Sequence, residues 1–101
     1  MLYKFNYVLG LLNHVKNSSV YEQICAVNTT NHIISTWVSE NSSKADSLNS
    51  ICRELQRISR LVEDPQVPAH VKGYLIECII YRLNIMNNFS NNETLNMEIK
   101  N

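Results

Sequence analysis

Histidine is the side chain of this sequence that could most readily bind a metal ion or move a proton near neutral pH. The chain contains three, His14, His32 and His70. They fall on different segments, and no two are four residues apart, the spacing at which one helix holds a metal between two imidazoles. The pattern therefore predicts no metal site.

Cysteine is the other candidate for chemistry, as a nucleophile, a redox group or a zinc ligand. Cys25, Cys52 and Cys78 are odd in number and lack a C-x-x-C pair, so they predict neither a closed disulfide framework nor a zinc knuckle. Each lies on or beside an apolar helical face, where free cysteine packs as a small hydrophobic residue. We interpret them as core residues in a reducing compartment, and a Cys–His dyad assembled in three dimensions stays open.

The short motifs that mark common enzymes are absent from the sequence. It lacks G-x-G-x-x-G, G-x-x-x-x-G-K-[ST], H-E-x-x-H and G-x-S-x-G. Gly10 and Gly73 are its only glycines, too few for a phosphate-binding loop, and a turn before Pro65 explains the acidic pair at residues 63–64. We therefore expect a protein without catalytic residues and without a bound cofactor or metal.

Arginine is the charged residue type that clusters. Arg53, Arg57 and Arg60 lie at spacings of four and three residues, so a helix places them on one face as a basic stripe. Such a stripe could bind phosphates or an acidic protein. The chain's nine basic and nine acidic residues disfavour nucleic acid, which is bound by neutralising phosphates. A solvated face is the simpler interpretation; a transcription-associated regulator that contacts nucleic acid through the stripe is the alternative function.

Helices are the elements expected to position these residues. Two glycines and two prolines are too few for the turns of a many-stranded sheet, while 45% hydrophobic residues are too many for a disordered chain. We expect an all-α compact bundle of about four helices with a central or interfacial C-terminal helix. It would form a single domain over residues 1–90, followed by a frayed tail over 91–101.

The first three predicted helices differ in how clearly the sequence marks them. The first covers residues 2–16, where apolar residues at helical spacing favour a helix and alternating apolar residues keep a strand as a competitor. The second covers residues 20–39, follows the polar residues 17–19 that offer N-cap oxygens, and could be kinked or split at the polar stretch 28–31. The third follows Ser43–Asp46, which resembles a capping box with Asp in place of Glu, carries a regular apolar seam and ends before Pro65. The apolar seam of the second helix comprises Val20, Ile24, Val27, Ile34 and Val38, with Tyr21 and Trp37 at its edge.

The fourth predicted helix, from Pro68 to about Asn87, carries the widest apolar surface. Its apolar residues span about 260° of the circumference, where a surface helix usually hides little more than 100°. Such a helix is central in its own bundle or shared with another chain. Arg82 projects into this sector, so its guanidinium must extend to solvent or pair with a carboxylate such as Glu22, Glu54 or an acid of a partner. The residues expected at an interface are Tyr74, Ile76, Ile80, Tyr81, Arg82 and Leu83.

The sequence thus predicts a small, non-enzymatic interaction module. It would act as an adaptor, regulator or inhibitor by placing its apolar last helix on another protein chain, either a second copy in a homodimer or a larger target protein. No apolar run reaches the roughly 18–20 residues that span a membrane, and the N-terminus lacks a signal-peptide pattern. We therefore expect a cytoplasmic protein that does not associate with membranes.

Overall fold

Five α-helices form the computed structural model, which describes the backbone of residues 2–100 and the side chains of residues 5–90. Within residues 2–100 there is no strand. The all-α bundle expected from the sequence is confirmed, and the first segment is a helix rather than the competing strand. The elements are α1 (Leu2–Val15), α2 (Val20–Glu40), α3 (Ser42–Ser47), α4 (Asn49–Glu63) and α5 (Ala69–Lys100).

Local signals explain two of the helix boundaries. Ser19 caps α2, because its hydroxyl oxygen accepts a hydrogen bond from the backbone N–H of Glu22 at 3.3 Å and so satisfies an otherwise unpaired donor. α4 ends before Asp64, whose extended backbone, with φ −72° and ψ 119°, is the conformation favoured before Pro65. Both boundaries lie where the sequence predicted them.

The middle of the chain departs from the prediction in two places. α2 is not split at residues 28–31, where the hydroxyls of Thr29 and Thr30 donate to carbonyl oxygens one turn earlier at 3.1 and 2.8 Å and so remain compatible with the helix. Ser43–Asp46 is not the capping box of the following helix, because it lies inside the separate short helix α3. α4 begins after Leu48 without a side-chain cap.

α5 is longer than the sequence predicted. Its backbone stays helical to Lys100, so the predicted end near Asn87 is wrong. A helix of 32 residues is about 48 Å long, which accounts for the 50 Å long dimension of the molecule. The expected frayed tail concerns residues 91–101, whose side chains lie outside the described part of the chain.

One hydrophobic core is shared by all five helices. The buried residues of α1 follow the predicted helical spacing, with Phe5, Val8 and Leu12 each 0% exposed. Trp37 of α2 is 1% exposed and meets the Phe5 ring edge-on, with the ring centroids 5.9 Å apart. This edge-to-face geometry is a favoured arrangement of aromatic rings, and it fixes α2 against α1.

The buried face of α2 is rotated from the face that the apolar spacing predicted. Trp37 lies in the core rather than at its edge, while Val38 is only half-buried and Tyr21 is 77% exposed. The core face includes two polar residues, Gln23 and Thr30. Because these two residues are polar, a search for apolar periodicity passes over them and selects a neighbouring face.

The start of α5 is held by a buried lysine. Lys72 is 3% exposed, and its ammonium group donates to the carbonyl oxygens of Val62 at 2.6 Å and Asp64 at 2.9 Å. The last carbonyl groups of a helix have no partners within the helix, and a cation beside them is favourable. Lys72 therefore joins the end of α4 to the first turns of α5.

Three helices meet around Lys16. Its carbonyl oxygen accepts a hydrogen bond from Gln23 Nε2 of α2 at 2.9 Å, and its ammonium pairs with Glu77 of α5 at 2.6 Å. A Cβ atom at Gly73 would lie 2.6 Å from the same carbonyl oxygen, which is closer than carbon and oxygen can approach. Glycine at position 73 therefore allows α5 to pack directly on the end of α1.

Candidate protein-binding surfaces

The apolar residues expected at an interface on α5 lie in the chain's own core. Ile76 and Leu83 are 0% exposed, and Ile80 is 8% exposed. α5 packs against α1, α2 and α4, and these helices cover the face on which the three side chains lie. The interface expected on α5 therefore loses its apolar centre, and only its tyrosines face solvent.

Two tyrosines remain on the outer face of α5. Tyr74 is 71% exposed and Tyr81 is 65% exposed. They are seven residues apart, so they lie two turns from each other on one side of the helix. Tyr74 borders a largely polar cavity of about 430 Å³ beside Lys16 and Gly73, so this pair differs from tyrosines that share one apolar groove.

Arg82 forms an ion pair within the chain. Its Nε donates to Glu54 Oε2 of α4 at 2.8 Å, and its Nη1 donates to the carbonyl oxygen of Cys78 at 3.0 Å. Of the two alternatives expected from the sequence, the guanidinium adopts pairing with a carboxylate, here Glu54. Because its side chain is only 26% exposed and already paired, Arg82 is not available as a contact for a partner in the way the sequence suggested.

The basic stripe lies exposed on α4. Arg53, Arg57 and Arg60 are all exposed, and none of them forms an ion pair or hydrogen bond with another described residue. Arg53 and Arg60 border cavities between α2 and α4, whereas Arg57 does not. The structure therefore divides the stripe into two arginines beside a groove and one that faces solvent alone.

An apolar groove of about 360 Å³ lies between α1 and α2. We call it the tyrosine groove, because Tyr7 of α1 and Tyr21 of α2 line it and are 60% and 77% exposed. Half-buried Leu11 and exposed Cys25 also line it. The sequence does not predict this groove, because each tyrosine lies beside the apolar seam of its own helix and no local pattern shows that the two are neighbours.

A second groove lies between α2 and α4 and consists of two adjoining cavities of about 290 and 340 Å³. Ile34 and Cys52 line both cavities, while Arg60 borders one and Arg53 the other. We call it the arginine groove. It follows α4 from Asn49 to Glu63, a length of about 21 Å at the helical rise. Its residues come from two helices, so the sequence indicated only the arginines on α4 and not the groove beside them.

A hydrogen-bonded pair joins the two walls of the arginine groove. The hydroxyl of Ser59 lies 2.7 Å from the carbonyl oxygen of Leu55 and 3.0 Å from Asn31 Oδ1 of α2. Ser59 is 3% exposed and Asn31 is half-buried, so this contact is partly shielded from water. It links α2 to α4 at the wall of the groove.

Each groove contains one free cysteine. Cys25 in the tyrosine groove is exposed, so the expectation of a core position is wrong for this residue. Cys52 in the arginine groove is half-buried, and desolvation raises the pKa of its thiol above the ordinary 9.0. A neutral thiol is a poor nucleophile. Cys52 should therefore react slowly with thiol reagents, and Cys25 is the more accessible of the two.

The described residues contain no group of three or more His, Cys, Asp or Glu side chains that could hold a metal ion. Nor does any helix in the described part of the chain combine the length and the apolar character needed to cross a membrane. The candidate binding surfaces of the described residues are the tyrosine groove, the arginine groove and the largely polar cavity beside Lys16 and Tyr74.

Comparison of the chain with protein-family models, with curated proteins and with solved structures finds no match. The function is therefore inferred from the surface of the molecule itself.

Proposed function

We propose that this protein is a small interaction module that binds another protein chain through the tyrosine groove. The observation that carries the proposal is the exposure of Tyr7 and Tyr21, 60% and 77%, at one mainly apolar groove. Tyrosine is enriched among the residues that contribute most to protein interfaces. It buries a large apolar ring and one hydroxyl group while ordering only a short side chain.

The geometry of the tyrosine groove favours a helical or extended segment of a partner. Its two walls are neighbouring helices, and a groove between two helices accepts an amphipathic segment that inserts apolar side chains between them. Leu11 offers an apolar contact inside the groove, and exposed His14 and Glu22 supply polar atoms around it. By occupying a surface of its partner in this way, the module would act as an adaptor, regulator or inhibitor.

A homodimer formed through the apolar face of α5 is not part of this proposal. The expectation of such a dimer depended on apolar side chains that the chain could not cover. Ile76 and Leu83 are 0% exposed in the single chain, so burying them against a second copy would require the bundle to open first.

The test compares two double variants that each remove two exposed tyrosines. Tyr7→Ser with Tyr21→Ser alters the tyrosine groove, while Tyr74→Ser with Tyr81→Ser alters the outer face of α5. The immobilised full-length proteins are incubated with extract of the native host, and bound proteins are quantified by mass spectrometry. We expect the groove variant to capture at least about tenfold less of a partner than the parent does. The α5 variant should capture the same amount as the parent.

Thiol footprinting locates the bound partner. Cys25 should become protected from alkylation when the captured partner is bound, because this cysteine lines the tyrosine groove. Both double variants alter exposed side chains, so their stability should stay within about 0.5 kcal/mol of the parent, which thermal denaturation checks. Equal capture by the groove variant and the parent would refute the proposal. Loss of capture by the α5 variant alone would move the binding surface to α5.

A further inference from the structure

The arginine groove has two cations without partners along one edge. Arg53 and Arg60 are exposed and border its two cavities. They are seven residues apart on α4, which places them two helical turns or about 10 Å from each other on the same side. A guanidinium binds a carboxylate with two parallel hydrogen bonds. The groove thus presents two carboxylate-binding groups at a fixed separation.

The nearest acids on α4 leave these arginines unneutralised. Glu54 is held by Arg82 at 2.8 Å, so it does not pair with Arg53. Glu63 lines the groove at the end beyond Arg60. From one end to the other, the charged side chains along the groove are therefore basic, basic and acidic.

Between the charged side chains the groove has a mixed lining, with Ser35 and Gln56 bordering both cavities and apolar side chains at its base. Ile34 and Leu55 are buried at its base, and Val38 and Cys52 are half-buried. Its length of about 21 Å matches a helix of about 14 residues. A surface of this shape and charge complements a helix with one apolar stripe and acidic side chains beside it.

We infer that the arginine groove binds an amphipathic helix of a partner protein that carries two acidic side chains seven positions apart beside its apolar stripe. This surface is distinct from the tyrosine groove, so the inference stands or falls independently of the proposed function. Nucleic acid fits the surface less well, because it carries a phosphate at every nucleotide, whereas the groove offers basic side chains at only two positions, Arg53 and Arg60. Arg57, the third arginine, contributes to neither cavity and distinguishes groove binding from general attraction.

The experiment selects ligands for the intact protein from a displayed library of 16-residue peptides with a helical bias. Counter-selection uses the variant Arg53→Gln with Arg60→Gln. We expect enriched peptides to contain acidic residues seven positions apart next to apolar ones. An enriched peptide, labelled for fluorescence anisotropy, should bind the counter-selection variant at least tenfold more weakly and the control variant Arg57→Gln within twofold of the parent.

Thiol footprinting again places the ligand. In a reaction long enough to alkylate the slowly reacting Cys52 of the free protein, the enriched peptide should lower the alkylation of Cys52 and leave that of Cys25 unchanged, because Cys52 lines the arginine groove and Cys25 does not. The three arginines are exposed, so the variants should keep the helical circular dichroism of the parent.

Four results would overturn the inference. The first is no enrichment over the counter-selection variant, and the second is protection of Cys25 instead of Cys52. The third is an equal loss of affinity on Arg57→Gln, which would indicate unspecific charge attraction. The fourth is tighter binding of a 20-base-pair DNA duplex than of the enriched peptide, with an equal loss of DNA affinity on replacing any of the three arginines. This result would show that the surface binds phosphates.

Discussion

Lys72 is a buried cation whose partners are two backbone carbonyl oxygens rather than a carboxylate. The two hydrogen bonds offset part of the hydration that the buried ammonium group loses, and the Val62 carbonyl group gains a donor that α4 cannot supply. Burying either the ammonium group or a carbonyl oxygen without a hydrogen-bond partner would cost free energy of folding. A single side chain thus connects the end of one helix with the beginning of the next.

Replacing Lys72 with methionine should destabilise the protein by about 2 kcal/mol. Methionine keeps much of the apolar stem but leaves the Val62 carbonyl oxygen without its side-chain donor and the Asp64 carbonyl oxygen with only the backbone N–H of Val67, at 3.1 Å. Urea denaturation followed by the fluorescence of Trp37, the single tryptophan, measures the free energy of unfolding. The control Lys44→Met removes a lysine without a described hydrogen bond and should change that free energy by less than about 0.5 kcal/mol. An unchanged unfolding midpoint for the Lys72 variant would contradict the capping role.

At the scale of the helices, the close approach of α5 to the end of α1 depends on one glycine, Gly73. Gly73 lies where α5 crosses the end of α1, and a Cβ atom there would be 2.6 Å from the Lys16 carbonyl oxygen. Gly10 lies within α1, where an added Cβ atom would have no side chain or neighbouring helix within 4 Å, and its φ is not positive. The two glycines therefore share a helical backbone and differ in what surrounds them.

Alanine should have opposite effects at the two glycines. Gly73→Ala should lower the free energy of unfolding by about 1–3 kcal/mol, because the backbone of Lys16 must move to admit the methyl group. Gly10→Ala should raise it by about 0.5–1 kcal/mol, since alanine favours the helix and meets nothing. Thermal and urea denaturation of both variants give the comparison. Stabilisation by both substitutions would show that α1 and α5 are not in close contact at Gly73.

At the scale of the whole molecule, α5 is a central helix. It packs against α1, α2 and α4, and its core residues Ile76, Ile79, Leu83 and Met86 are each 0% exposed. A helix that is apolar over much of its circumference is stable in a small bundle when three neighbours surround it. The wide apolar surface that indicated association in the sequence is thus used mainly within the chain.

The chain alone should therefore be a monomer in dilute solution. Light scattering coupled to size-exclusion chromatography should give a mass near 11.7 kDa, because the apolar residues of α5 described above are already covered by the chain's own helices. The elongated shape, 50 × 22 × 18 Å, would make elution early for that mass, so the mass must come from scattering. A mass near twice that value would contradict this prediction and return the α5 homodimer to consideration.

The sequence by itself determined the helices, because their signals are local. Apolar residues three and four positions apart predicted α1 and α4, the polar residues 17–19 predicted the start of α2, and Pro65 predicted the end of α4. The sequence did not predict the correct end of α5 or the separate helix α3. Neither the end of α5 nor the junction between α3 and α4 carries a strong capping signal.

Tertiary structure alone decided which faces are buried and where grooves form. Arg82 and Glu54 are 28 residues apart in the chain and 2.8 Å apart in space, and the two walls of each groove come from different helices. Gln23 and Thr30 lie in the core although they are polar, because one bonds to Lys16 and the other to its own helix. Packing brings together residues from distant parts of the chain, and the type of a residue does not show which residues it will contact. The binding surfaces could therefore be identified only in the folded molecule.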